Sequence, residues 1–236
     1  MKQRSSLAKK ARKVIGLTLT VGSSLLLPER ALAEAKNQSS PYRAQVVLDA
    51  NSEYVLRAIP ISNKPVLQPL LAVNRGSLTG LIFGVIDPNK QNANEIDLSL
   101  DYTRQLSERV NLSTGYTYTD FHDIKERTQE VYAGISLSTM LNPSIFLYRD
   151  FDLVNGTYGE ASVSKVLRGL KTILSLGYND RYFRENSGIS HLSTSINLPL
   201  RIGKKTGIAG RLSYVRALNR EFKNHFTYGL GVNRSL

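Results

Sequence analysis

On an extended chain, side chains two positions apart share a face, so His191 and Ser193 place an imidazole and a hydroxyl within reach of each other. Such a pair is a base and a nucleophile when a third group orients the imidazole, and Glu160 and Glu185 are the carboxylates that could do so. The simpler reading of the pair, and the one preferred, is an ordinary hydrogen-bonded couple in a polar interior, with no catalytic role. A larger set consists of Asp97, Asp101, Asn111, Thr117, Glu130, Glu160, Lys171 and Arg211, which recur on the polar phase of alternating segments. Lining a passage, their charges would set ion selectivity. Crowded into a narrow space, they would instead form an ion-pair network that fills it. The oxygen-rich stretch 87–95 could hold a hard cation, but it lacks the glycine and spacing of an EF-hand, and Asn, Asp and Pro are ordinary turn residues. With three His, no Cys, no P-loop and no dinucleotide fingerprint, neither a metal nor a cofactor is expected.

These residues must be held by strands. The stretch 94–121 sets Ile96, Leu98, Leu100 and Tyr102, then Val110, Leu112, Tyr116 and Tyr118, against carboxylates, hydroxyls, an amide and a glycine. Period-two alternation around a short polar link predicts an antiparallel hairpin. The pattern recurs at 129–138, 157–164, 170–178, 192–198, 208–214 and 226–232, with strand-like segments at 66–73 and 78–86. Residues 44–60 read as one bent strand or two short ones, and 144–152 reads as a strand of undetermined phase. The count is about twelve strands, within a range of 10–12, and suits spans of about 9–11 residues with turns. Links 74–77, 105–109, 139–143, 165–169 and 199–206 are mostly short. Links 87–95, 120–128, 149–156, 179–190 and 215–224 are longer and richer in charge. Alternation of long and short links is expected when one set of loops faces outward and the other forms periplasmic turns, and an even count returns both ends to the periplasm.

Lys2, Arg4, Lys9, Lys10, Arg12 and Lys13 precede an apolar run over 14–27, followed by Ala31-Leu32-Ala33, which predicts a signal peptide over 1–33 cleaved near Ala33. Residues 34–43 then form a flexible leader and 44–236 a single β domain. Removal of 1–33 takes seven Lys/Arg and one acid, so the formal net charge falls from +12 to +6 and no nucleic-acid partner is implied. No stretch beyond the leader approaches 18 apolar residues, which excludes transmembrane helices there.

What remains is a soluble β-sandwich or a transmembrane barrel. The polar face is dominated by Ser, Thr, Gly and Asn, which suits a crowded wet lumen better than a solvent-facing sheet rich in Lys and Glu. Tyr102, Tyr116, Tyr118, Tyr178, Tyr214 and Tyr228 suit an interfacial girdle, although the usual Trp is absent. Arg149 is the one cation that the lipid face would have to explain. The fold class expected is therefore an all-β, antiparallel up-and-down barrel.

The segments 57–69 (Arg57-Ala58-Ile59-Pro60-Ile61-Ser62 through Pro65-x-x-Gln68), 94–98, Gly115-Tyr116-Thr117-Tyr118 and Glu130-Val131-Tyr132-Ala133-Gly134 resemble the first strands of a family of small, functionally uncharacterised proteobacterial outer-membrane barrels. The match covers mainly 54–135 and departs in lacking a tryptophan near Ile86 and in having Pro60 where glycine is usual. The resemblance implies a barrel in the outer membrane of a Gram-negative bacterium, and it carries over no catalytic residue. Expected partners are outer-membrane lipid, the barrel-assembly machinery, and lipopolysaccharide phosphates met by Lys125, Arg127, Arg181, Arg184, Arg220 and Lys223. The leading functional expectation is a narrow pore or structural envelope protein without enzymatic activity. The alternatives are a lipid-modifying barrel hydrolase of the lipid A deacylase kind, which places a His-x-Ser on a strand, and a soluble periplasmic binding sandwich.

Overall fold

The computed structural model describes residues 42–89 and 93–236. The signal peptide, most of the leader and the centre of the 87–95 link lie outside the described residues. Among the described residues there are fourteen strands: β1 (Tyr42–Asn51), β2 (Tyr54–Leu56), β3 (Ile59–Ser62), β4 (Val66–Arg75), β5 (Leu78–Ile86), β6 (Ala93–Gln105), β7 (Val110–Phe121), β8 (Glu126–Leu137), β9 (Ser144–Asp150), β10 (Thr157–Leu167), β11 (Leu170–Asp180), β12 (Gly188–Arg201), β13 (Thr206–Ala217) and β14 (His225–Ser235). Twelve of them form one closed antiparallel barrel in sequence order, sealed by β1 pairing with β14. The sandwich alternative is thereby excluded, because a single sheet closes on itself and its apolar face points away from the interior.

The first strand starts at Tyr42, two residues ahead of the expected boundary, because Tyr42 and Arg43 pair with Arg75 and Asn74. Five tight turns (76–77, 106–109, 138–143, 168–169 and 202–205) join the strands at one end, which we call the turn end. The links at the other end, the loop end, are mostly longer. One expected long link shrinks to 122–125, because pairing continues to Phe121 opposite Glu126.

Side-chain phase follows the closure. Leu98, Leu100, Leu174, Leu212 and Leu230 stand exposed on the outside, with Tyr102, Tyr116, Tyr178, Tyr214 and Tyr228 among them. An apolar belt around a whole molecule is far larger than the patches a soluble monomer exposes. It is the outer surface of a membrane barrel. The strand of undetermined phase, β9, points Ser144, Phe146, Tyr148 and Asp150 inward. Arg149 therefore points outward, but at the loop-end tip of β9, where its guanidinium donates to Asn155 Oδ1 at 2.6 Å.

Residues 44–60 are neither one bent strand nor two equal ones. The chain leaves β1 at Asn51 and folds into the barrel as the hairpin β2–β3, which is a two-stranded sheet of its own. It packs Tyr54 and Leu56 against Val66, Leu70, Ala72, Leu81, Phe83 and Val85 on the inner face of β4 and β5. Those two strands are apolar on both faces because lipid covers one and the hairpin covers the other.

Candidate functional site

The hairpin is built to carry one side chain across the lumen. Its two-residue turn, Arg57-Ala58, holds both residues at positive φ (49° and 65°), a left-handed conformation that costs a non-glycine residue free energy and persists only where surroundings fix it. Fixation comes from the far wall. Around the ring of twelve, β9 stands six positions from β1, diametrically opposite the hairpin's point of attachment. Arg57 reaches that wall: Nη1 donates to Glu130 Oε2 at 2.7 Å and Nη2 to Oε1 at 3.0 Å. Three tyrosine rings surround the guanidinium, with centroids at 4.3 Å (Tyr148), 4.7 Å (Tyr158) and 4.6 Å (Tyr182). Tyr182 also donates to Glu130 Oε2 at 2.8 Å. Burial alone would disfavour the Arg57 charge, but the Glu130 carboxylate outweighs it and pushes the guanidinium pKa up.

The rings belong to a ladder that the strand register creates. Tyr132 lies opposite Tyr148 and Tyr148 opposite Tyr158, giving centroid separations of 5.6 and 5.8 Å, and the His191 ring stacks on Tyr158 at 6.2 Å. Inward aromatic rings lie flat only where the next strand offers no side chain. Gly134 makes that room for Phe146, Gly115 for Tyr132, and Gly177 for His191 and the Tyr158 hydroxyl.

Three loops complete a seal around the hairpin. Asp150 accepts backbone N–H bonds from Asp152, Val154 and Asn155 and a hydroxyl bond from Thr128, which folds 151–156 over the mouth. Phe222 and Phe183 press on Ala58 and Ile59 from the 218–224 and 181–187 loops. Arg184 lies over the Phe222 ring and donates to the Glu221 carbonyl; burial lowers its pKa, which Glu221 partly offsets.

Inner-face burial runs along the barrel axis. On β7, Asn111, Ser113 and Gly115 are half-buried towards the turn end, whereas Thr117, Thr119 and Phe121 are buried towards the loop end. On β11, Lys171 is half-buried, while Ile173, Ser175, Gly177 and Asn179 are buried. The lumen is thus a polar vestibule entered from the turn end and stopped by the Arg57 hairpin. Between the hairpin and the wall of β11–β14 lies a cavity of about 140 Å³, lined by residues that include Asp49, Glu160, Ser193, Asn197 and Arg211.

The charged set is distributed along this lumen in separate groups. Glu130 holds Arg57, and Glu160 accepts from the Tyr158 hydroxyl at 3.3 Å beside it. Arg211 donates to Asp49 at 3.3 Å and to Asn197 at 3.0 Å. Asp101 accepts from Tyr132 at 2.8 Å, Thr117 bonds Ser99 at 2.9 Å, and Asp97 is buried near the hairpin base beside Glu95. Asn111 and Lys171 lie towards the turn end, apart from these groups.

His191 is buried and shares its Nδ1 with Ser190 Oγ at 2.9 Å, across a β-bulge that brings both residues inward. Ser193 lies opposite Ser175 on the cavity wall. Of the candidate orienting carboxylates, Glu160 is engaged by Tyr158 and Glu185 lies in the 181–187 loop. Both His191 and Ser193 face the lumen, away from the acyl chains that a lipid hydrolase must reach. Asp87 accepts two bonds from Asn89 as a turn residue does, and no group of three or more metal-ligating side chains occurs among the described residues.

Tyr148, Tyr158 and Tyr182 were not singled out by sequence, and Arg57 was named only within the resemblance over 57–69, with no role. The signal was present in part: Tyr132 and Glu130, and Tyr158 and Glu160, share one phase of their strands.

No family model matches the chain, and no curated protein matches it. Solved structures share its fold. The KdgM porin superposes with a TM-score of 0.55 at 10% identity, covering 82% of this chain and 99% of that one. The NanC porin gives 0.54 at 11% identity over 81% and 100%. The COG4313 outer membrane channel from Pseudomonas putida F1 gives 0.50 at 11% identity over 83% and 95%. Each superposition covers nearly the full length of the neighbour, so the likeness in fold extends over the whole of it.

Proposed function

We propose that the chain, after removal of residues 1–33 near Ala33, is a narrow channel of a Gram-negative outer membrane, without enzymatic activity, and that its β2–β3 hairpin is the constriction. The observation that carries this reading is the lumen itself, polar and open from the turn end yet crossed by a hairpin whose strands pair only with each other. A barrel filled purely for stability would be apolar or ion-paired throughout. Here Ser, Thr and Asn line the vestibule and the tight packing is confined to one level. Similarity in fold to porins and channels supports the reading, as does the likeness of residues 54–135 to small outer-membrane barrels. The short turns face the periplasm in this arrangement.

The lipid-hydrolase reading loses ground to the lumen-facing position of His191 and Ser193 and to the bonding of His191 to Ser190. Planar-bilayer recording tests the channel. The wild-type chain should give small, intermittent conductance steps, and a variant with 54–62 replaced by a short Gly/Ser link should give larger, steady ones. If neither protein conducts once inserted, the channel reading fails.

A further inference from the structure

The two mouths of the barrel differ in charge in a way that the pore does not require. Within three residues of the five turns or of the described chain ends beside them stand eleven Lys/Arg and one acid, Glu108. Within three residues of the links at the other mouth, the described residues include ten Lys/Arg and twelve Asp/Glu. Among the described residues cations far outnumber carboxylates there, so the turn end carries a positive field, whereas the loop end is nearly balanced.

The turn end is also apolar where a water-facing turn would not be. Leu106, Met140, Leu167 and Ile202 sit in or at the edges of turns and are each more than half exposed. Leu106, Leu167 and Ile202 are interleaved with cations along the chain, as in Leu167-Arg168 and Ile202-Gly203-Lys204-Lys205, whereas the turn of Met140 carries none. Aliphatic tips among long cationic side chains match one environment, a membrane interface, where the tips enter the acyl boundary and the cations lie at the level of the phosphates. The rim is continuous with the exposed apolar belt above it, so no other protein is needed to explain the apolar tips.

We propose that the turn-end rim is a docking surface for anionic phospholipid, and that it holds the short turns in the headgroup layer of the periplasmic leaflet instead of in free water. The inference rests on the membrane-barrel reading above. Long basic side chains near such a surface are attracted by its negative potential, and the attraction is screened within a Debye length.

The test uses the refolded barrel in phosphatidylcholine bilayers doped with spin-labelled phosphatidylglycerol or spin-labelled phosphatidylcholine, read as the motionally restricted fraction by electron paramagnetic resonance. Phosphatidylglycerol should be favoured several-fold over phosphatidylcholine, and about 1 M salt, where the Debye length is ~3 Å, should bring the two to near parity. The fourfold variant Arg109→Gln, Arg168→Gln, Lys204→Gln, Lys205→Gln should lose most of the preference. The loop-end variant Lys125→Gln, Arg127→Gln, Arg181→Gln, Lys223→Gln should keep it. An inserted barrel with no preference, or one whose preference survives the turn-end substitutions or falls equally with the loop-end ones, overturns the proposal. Inorganic phosphate abolishing the preference at matched ionic strength would also overturn it, by assigning the rim to the free anion. A chain that does not insert into bilayers at all would instead overturn the membrane-barrel reading.

Discussion

Arg57 is a charge placed where charge is expensive, and its surroundings show what makes it tolerable. Removing an ion pair from water costs several kcal/mol per ion, and the cost is met only when the geometry satisfies nearly every donor. Here two parallel bonds to Glu130 and three ring faces meet one guanidinium. Breaking the pair from one side leaves a buried charge unpaired. Arg57→Ala and Glu130→Ala should therefore each destabilise the folded barrel by about 3–5 kcal/mol, whereas the double change Arg57→Met with Glu130→Leu should cost much less than their sum. Urea unfolding in detergent micelles measures all three, and additive losses would show that the pair is not the anchor. A second residue-scale expectation concerns Gly177, where an added methyl would collide with the His191 ring and the Tyr158 hydroxyl. Gly177→Ala should destabilise the barrel, while Ser193→Ala, on the cavity wall, should leave both stability and lipid A acylation unchanged. Mass spectrometry of lipid A from cells carrying the variant checks the second point, and an altered acylation pattern would restore the hydrolase.

At the scale of elements, the hairpin is the one part of the fold that the barrel does not need for its backbone bonds. Asn51 and Val66 are opposite partners at the ends of adjacent strands, so a link of a few residues can replace everything between them. Deleting 54–62 should leave heat-modifiable gel mobility intact, because all twelve wall strands keep their ladders. The variant should nonetheless melt at a lower temperature, since Val66, Leu70, Phe83 and Val85 lose their cover, at about 1.5–3 kcal/mol for each fully buried side chain. Loss of the heat-stable band would mean that the hairpin is part of the folding core. The wall was legible in the sequence because strict alternation separates lipid from lumen along β6 to β8 and β10 to β14. The hairpin was not, because strands of three and four residues are too short to show a period. Its trace lay in β4 and β5, whose two apolar faces imply a cover on the inside as well as the outside, and in the inward Tyr phase of β8 and β10. The distance between Arg57 and Glu130 in sequence, 73 residues, is what no local pattern could bridge.

For the molecule as a whole, the decisive property is that its apolar side is its outside. In water-soluble β proteins an arginine on the outer face costs little and one on the inner face is ruinous; here the order inverts. Leu98 and Leu230 are exposed and lie near the middle of β6 and β14, so Leu98→Arg or Leu230→Arg would put a guanidinium near the bilayer midplane, at a cost of about 2–4 kcal/mol each. Ser99, one residue on, faces the half-buried vestibule, where the Thr117 hydroxyl is its neighbour, so Ser99→Arg should cost far less. Reversible urea unfolding from lipid vesicles distinguishes the two faces directly, because adjacent positions on one strand share backbone, depth and turn chemistry and differ only in the solvent they meet. Equal costs at Leu98 and Ser99, or a greater cost at Ser99, would mean that the outer face meets water. With that, the channel, the lipid-held rim and the outer-membrane location would fall together, since each depends on lipid surrounding the belt.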